Sequence, residues 1–416
     1  MQPRFETLSN GLRVVLAPCE AESVAVGVFI SSGSRHETAR TAGISHLIEH
    51  MLFKGTPSRR QIDITRAIEG RGGNFNAFTA EEATCYYAHL PREYRAEAID
   101  ILADMYLNAS IPDDEFARER EVVIEEIRMY ADEPDQVAAE NLQKALFPNS
   151  RLGDPIAGNE AALRGMTPEI LRRYIKSHYL PSRTVVVVAG DFDEGDALAD
   201  VASRFKFPAG AQRRCASVSR PDLPLSGKCV RETSVSKDVQ QTQLALGYRT
   251  FGISDPRKYA ATVLDAVLGR GMSSRLFQEV REKRGLSYDI SSRMQFFSDA
   301  GAFSISAGTD ERKSALALAT VEAQIDRVRR FRVSAAELKR TKEFLAGNFR
   351  MSHERVTAKM FFYGSTMLSF GRLVLPSEQV DGIRAVGPDE VLAVARAIFR
   401  PGNRAVSWVR PASAAK

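Results

Sequence analysis

The sequence predicts an α+β protein built from two homologous domains, each a mostly antiparallel sheet packed with helices. Three observations predict it. Strand-type alternation comes in hairpin-compatible pairs while helical periodicity comes in runs, which suits antiparallel layers better than a doubly wound parallel sheet. The same order of strand and helix signals is met twice along the chain. Between the two copies lies Pro208 to Gly227, PAGAQRRCASVSRPDLPLSG, where Pro, Gly, Ser and Arg displace apolar periodicity. The 416 residues thus divide into an N-terminal domain (1–207), a linker (208–227) and a C-terminal domain (228–416), each long enough to bury a core.

In the first half, Leu12 to Leu16 and Ser23 to Ile30 alternate as strands and lead into a helical segment from about Thr41 to Phe53. A helix over Gln61 to Glu69 is stopped by Gly70, Gly72 and Gly73. Strands near Asn74 to Thr79 and Thr84 to Leu90 precede two long amphipathic helices, one of them from about Asp113 to Tyr130. The second half repeats the plan: strand Thr242 to Tyr248, helices Pro256 to Leu268 and Ser274 to Lys283, strands Ser287 to Phe297 and Gly301 to Ala307, then helices Arg312 to Arg330 and Ala335 to Met351. Each half closes on a strand, Thr184 to Ala189 and Ala405 to Val409.

Composition narrows the function classes. With 44% hydrophobic and 26% charged residues the chain is neither collagen-like, disordered nor a disulfide scaffold. No apolar run approaches the roughly 18 residues of a membrane span. Met1-Gln2-Pro3-Arg4-Phe5-Glu6 enters a strand pattern without an apolar targeting core, so a cytoplasmic location is expected. The 57 Lys and Arg face 52 Asp and Glu and interleave with them, as in Arg118-Glu119-Arg120-Glu121. That pattern reads as solvated helix faces, not a nucleic-acid surface. Cys19, Cys85, Cys215 and Cys229 form no C-x-x-C pair, so isolated thiols are expected.

The sharpest local signal is Gly43-Ile44-Ser45-His46-Leu47-Ile48-Glu49-His50-Met51-Leu52-Phe53. On a helix, positions i, i+3 and i+4 share a face, so His46, Glu49 and His50 converge. This H-x-x-E-H order is the inverted zincin pattern, in which two His bind zinc and the Glu acts on its water. The plainer alternative is two hydrogen-bonded His beside a core. A catalytic zinc needs a third protein ligand. In the helix from about Asp113, the apolar stripe is Phe116, Val123, Ile127 and Tyr130. Glu119 and Glu126 fall within its edge and Glu125 points away. A carboxylate on a buried face calls for a compensating cation. Glu126 is therefore the expected third ligand, and Glu119 an accessory partner of a ligating His or the site. The alternative is that both pair with surface Arg.

At this point the chain resembles the pitrilysin, insulysin and mitochondrial processing peptidase family. The resemblance rests on GSRHETARTAGISHLIEHMLFKGT (33–56), on the Glu119/Glu126 pair downstream, and on Gly271-Met272-Ser273-Ser274-Arg275-Leu276-Phe277 followed by Arg281-Glu282-Lys283-Arg284-Gly285-Leu286-Ser287-Tyr288. It covers almost the whole chain and implies a zinc endopeptidase with one zinc held by His46, His50 and Glu126, Glu49 as general base and Glu119 as accessory glutamate. It also implies that Arg281 and Tyr288 hold the substrate carbonyl. Without it Arg281 reads as a surface charge and Tyr288 as a strand residue. Asn76-Ala77-Phe78-Thr79 resembles the family's edge strand, to which an extended peptide adds in β fashion. On its own it reads as an ordinary hairpin. Two domains in one chain imply a homodimer, or a heterodimer with a related chain, in which one subunit's Arg281 and Tyr288 complete the other's site. The competing expectation is a non-catalytic scaffold subunit of the same fold.

Overall fold

Residues 2–207 and 232–412 are described by the computed structural model. The expected linker 208–227, with Cys215, lies outside them, as does Cys229.

The first half supplies β1 (Arg4–Thr7), β2 (Arg13–Pro18), β3 (Ser23–Ile30), β4 (Asn74–Thr79), β5 (Thr84–Pro91) and β6 (Thr184–Gly190), in the spatial order β1-β2-β6-β3-β5-β4. All neighbours are antiparallel except β2 and β6. The second half supplies β7 (Glu232–Lys237), β8 (Thr242–Phe251), β9 (Ser287–Phe296), β10 (Ala300–Thr309) and β11 (Arg404–Pro411), ordered β7-β11-β8-β10-β9, with β7 and β11 parallel. Counted from β2 and from β7, each sheet runs first, fifth, second, fourth, third. The parallel pair falls at the same place in both, which is the expected repeated plan seen as topology. β7 escaped sequence reading because ETSVSK alternates without a large apolar face and stays half exposed at the sheet edge.

The helices of the first half are α1 (Ile44–Leu52), α2 (Gln61–Glu69), α3 (Arg95–Asn108), α4 (Asp113–Asp132), α5 (Pro134–Leu146), α6 (Glu160–Arg164), α7 (Pro168–His178) and α8 (Glu194–Arg204). Those of the second are α9 (Lys258–Gly269), α10 (Ser314–Arg330), α11 (Ala335–Ser352), α12 (Val356–Phe370), α13 (Pro376–Ala385) and α14 (Pro388–Ile398). Where a helix over Ser274 to Lys283 is expected, Phe277–Glu282 forms a π-helix, with the Lys283 amide donating to the Gln278 carbonyl. No described helix is long and apolar enough to cross a membrane.

The expected boundaries need one correction. One compact unit contains residues 2–127, 155–207 and 351–374; the other contains 128–154, 232–350 and 375–412. Both sheets are covered on two faces, and each draws one cover from the other half of the chain. Val356, Met360, Tyr363 and Met367 of α12 pack on Val15, Phe29, Val185 and Val187. Leu142 and Leu146 of α5 pack on Ala245, Ala302 and Ala405. This explains why β6, TVVVVAG, is apolar without alternation: both its faces are buried.

Candidate metal centre

The helix α1 begins at Gly43, whose φ of +92° is left-handed and whose absent Cβ would lie 2.4 Å from the Ala157 carbonyl oxygen. The Glu37 carboxylate accepts from the amides of Gly43 and Ser45 at 2.7 and 2.8 Å. It thus meets two orphan donors with a charge that the helix N-terminus favours. Ile44, Leu47, Ile48 and Met51 are fully buried in the core. The same 3.6-residue period leaves His46, Glu49 and His50 partly exposed on the other side, and the two imidazoles meet edge to face with centroids 4.8 Å apart.

Helix α4 brings the carboxylates. Phe116, Val123 and Ile124 are buried, Glu119 is 8% exposed and Glu125 is exposed. Glu126 Oε2 lies 3.7 Å from His46 Nε2 and 3.6 Å from His50 Nε2. Neighbouring ligands of a tetrahedral ion bound at about 2.0–2.2 Å stand about 3.3–3.5 Å apart. Two imidazoles and one carboxylate at this spacing therefore fit zinc in donor chemistry and in reach. Glu119 Oε2 is 3.1 Å from His50 Nδ1, and Lys54 Nζ is 2.5 Å from Glu119 Oε1. His50 thus has an acceptor behind it that fixes its ring. His46 differs, since its Nδ1 is buried with no hydrogen-bond partner among the described residues. Thr79 Oγ1 donates to Glu49 Oε2 at 2.5 Å.

The remaining expected residues fall in two places. Asn76, Ala77 and Phe78 pair with Tyr87, Tyr86 and Cys85 of β5, and β4 is the last strand of its sheet, so its outer edge has no neighbouring strand among the described residues. Phe78 is 39% exposed and packs on Phe361 of α12. Arg281 and Tyr288 belong to the other unit. They meet each other there, the guanidinium 4.8 Å from the Tyr288 ring and 4.7 Å from that of Phe277, and Tyr288 is 80% exposed.

Comparison with known proteins settles the relationship. Residues 13–160 match the family described as insulinase (peptidase family M16), and residues 165–345 match the peptidase M16 inactive domain. A Bacillus subtilis protein named an uncharacterized zinc protease is 36% identical over 394 residues, covering 94% of this chain and 95% of its own. A Mycobacterium tuberculosis protein of the same description is 37% identical over 397 residues, covering 95% and 90%. The chain belongs to peptidase family M16. Solved structures share the fold of this M16 chain: a protease from Helicobacter pylori (TM-score 0.89, 21% identity, 99% of each chain) and a peptidase M16 inactive domain from Pseudomonas fluorescens (0.85, 20%, 100% of each).

The electrostatics of the M16 site follow from its burial and its carboxylates. Burial raises the Glu49 carboxyl above its usual range, against the opposing pull of Thr79 and His50. Burial lowers His46, and the neighbouring His50 charge adds to that. Burial also lowers His50, but Glu126 and Glu119 outweigh it and the net shift is upward. Helical phase alone could not reveal Thr79, Lys54 or Glu37 as partners of this M16 helix.

Proposed function

We propose that the protein is a zinc-dependent endopeptidase, with one zinc per chain, that hydrolyses peptides or extended presequence-like segments. The observation that carries the reading is the meeting of the Glu126 carboxylate with the two imidazoles of α1, beside a Glu49 carboxylate held by Thr79. The relatives' names support the metal and the class of reaction.

His46, His50 and Glu126 would hold the ion, and Glu119 would orient His50. When bound, zinc acidifies a water toward a pKa of about 7 and polarises the scissile carbonyl. Glu49 takes a proton from the attacking water and returns it to the leaving amine. Thr79 keeps one of its oxygens in place. An extended peptide pairs with the outer edge of β4, through backbone groups that do not depend on its sequence. Arg281 and Tyr288, already in contact with each other, donate to the oxyanion formed from the carbonyl. They do so across a dimer, of two identical copies or of this chain with a related one.

Elemental analysis, together with cleavage of a mixed peptide library with and without chelator, tests this reading. The expected result is about one zinc per chain, chelator-sensitive cleavage, and a Glu49→Gln protein that keeps its zinc and loses turnover. A zinc-loaded, folded wild type without peptidase activity would support the non-catalytic scaffold instead.

A further inference from the structure

The segment Gly33–Glu37 has no part in the chemistry above, yet it touches both elements that the chemistry needs. At one end, buried Glu37 closes the first turn of α1 through Gly43 and Ser45. At the other, the amides of Ser34 and Arg35 donate to the carbonyls of Ala80 and Glu81 at 3.2 and 2.8 Å. The Arg35 guanidinium, its side chain 3% exposed, pairs with Glu82 at 2.5 Å. Ala80, Glu81 and Glu82 lie in the turn between β4 and β5. Gly33 allows this approach, because a Cβ there would stand 2.1 Å from the Ala80 carbonyl oxygen. Five residues therefore tie the start of the metal helix to the tip of the hairpin whose outer strand has an open edge. Two contacts repeat the tie further along: Phe53 packs on Phe75, centroids 5.2 Å apart, and Thr79 donates to Glu49.

We propose that Gly33–Glu37 sets the register between α1 and β4, and that Thr79 is the positioning residue that passes this register to the Glu49 carboxylate. A base must stand about 2.6–3.2 Å from the proton it takes, and a displacement of about 1 Å can cost about 100-fold in rate. A peptide lying along β4 is then placed by the same hairpin that places the base. The inference rests on the peptidase reading and adds to it a pair of structural supports for the base.

Thr79→Val removes the hydroxyl at nearly constant volume, and Thr79→Ser restores it. The expected result is a kcat about 10- to 100-fold lower in Thr79→Val, with KM, zinc content and melting temperature nearly unchanged, and with most of the rate recovered in Thr79→Ser. In the metal-free protein, Arg35→Gln should speed amide hydrogen exchange both at residues 79–84 and at Gly43 and Ser45. A Thr79→Val enzyme within twofold of wild type overturns the positioning role, and faster exchange at only one of the two places overturns the shared register. If instead the wild type binds zinc but cleaves no peptide, the peptidase reading fails, while the exchange experiment still decides the register.

Discussion

At the scale of single residues, the candidate metal centre separates what helical phase can reveal from what only folding can. Phase puts Glu126 toward the site and Glu125 toward solvent, because one step of about 100° turns a side chain from one face to the next. No periodicity could pair Glu119 with Lys54 or Glu49 with Thr79, since these partners come from separate elements. Glu119→Ala removes the acceptor behind His50 and leaves Lys54 without its counter-charge. Zinc affinity should fall about 10- to 100-fold, measured by competition with a chromophoric chelator, with the fold retained. His36 offers a test of a different kind. Its Nδ1 accepts from the Gly33 amide at 3.1 Å, and burial, with the charges of Arg183 and His178, lowers its pKa from 6.5 to about 4. Between these values the unfolded chain binds more protons than the folded one, so stability falls as pH drops from 6.5 toward 4. The loss amounts to about 3 kcal/mol when complete. Urea unfolding at pH 7 and pH 5 should show a smaller decrease in His36→Asn, which keeps an acceptor but cannot be protonated.

At the scale of elements, strands with long apolar stretches were legible, and so was β4, whose half-exposed NFNAFT still carries two aromatic rings. β3, β5 and β8 carry long apolar stretches, while β7 has none. The π-helix at Phe277–Glu282 has the composition of an ordinary helix, so the wider turn shows only in its hydrogen bonds. Helix α12 is the more instructive case. VTAKMFFYGSTMLSF is apolar on most of its circumference, which marks a buried helix but does not say which sheet it covers. Met360 is fully buried against the first sheet. Met360→Ala should cost about 2–5 kcal/mol by denaturant unfolding, far more than an exposed substitution on the same helix such as Ser365→Ala.

At the scale of the whole molecule, the repeated sheet plan was readable as a recurring order of signals, whereas the exchange of α5 and α12 was not, because nothing in an amphipathic helix names its partner. If Arg281 and Tyr288 serve a neighbouring subunit, mixing Glu49→Gln and Tyr288→Phe chains should restore part of the activity that each lacks alone. Proven mixed dimers without recovery would count against that arrangement. The exchange of helices also bears on how the protein is made. A nascent chain leaving the ribosome cannot seal its first sheet when the last strand of that sheet emerges, because the covering helix is still about 170 codons from translation. Until then a strip of valines stands open to water and to other chains. Chaperone demand, and any pause written into the message, should therefore concentrate between β6 and α12.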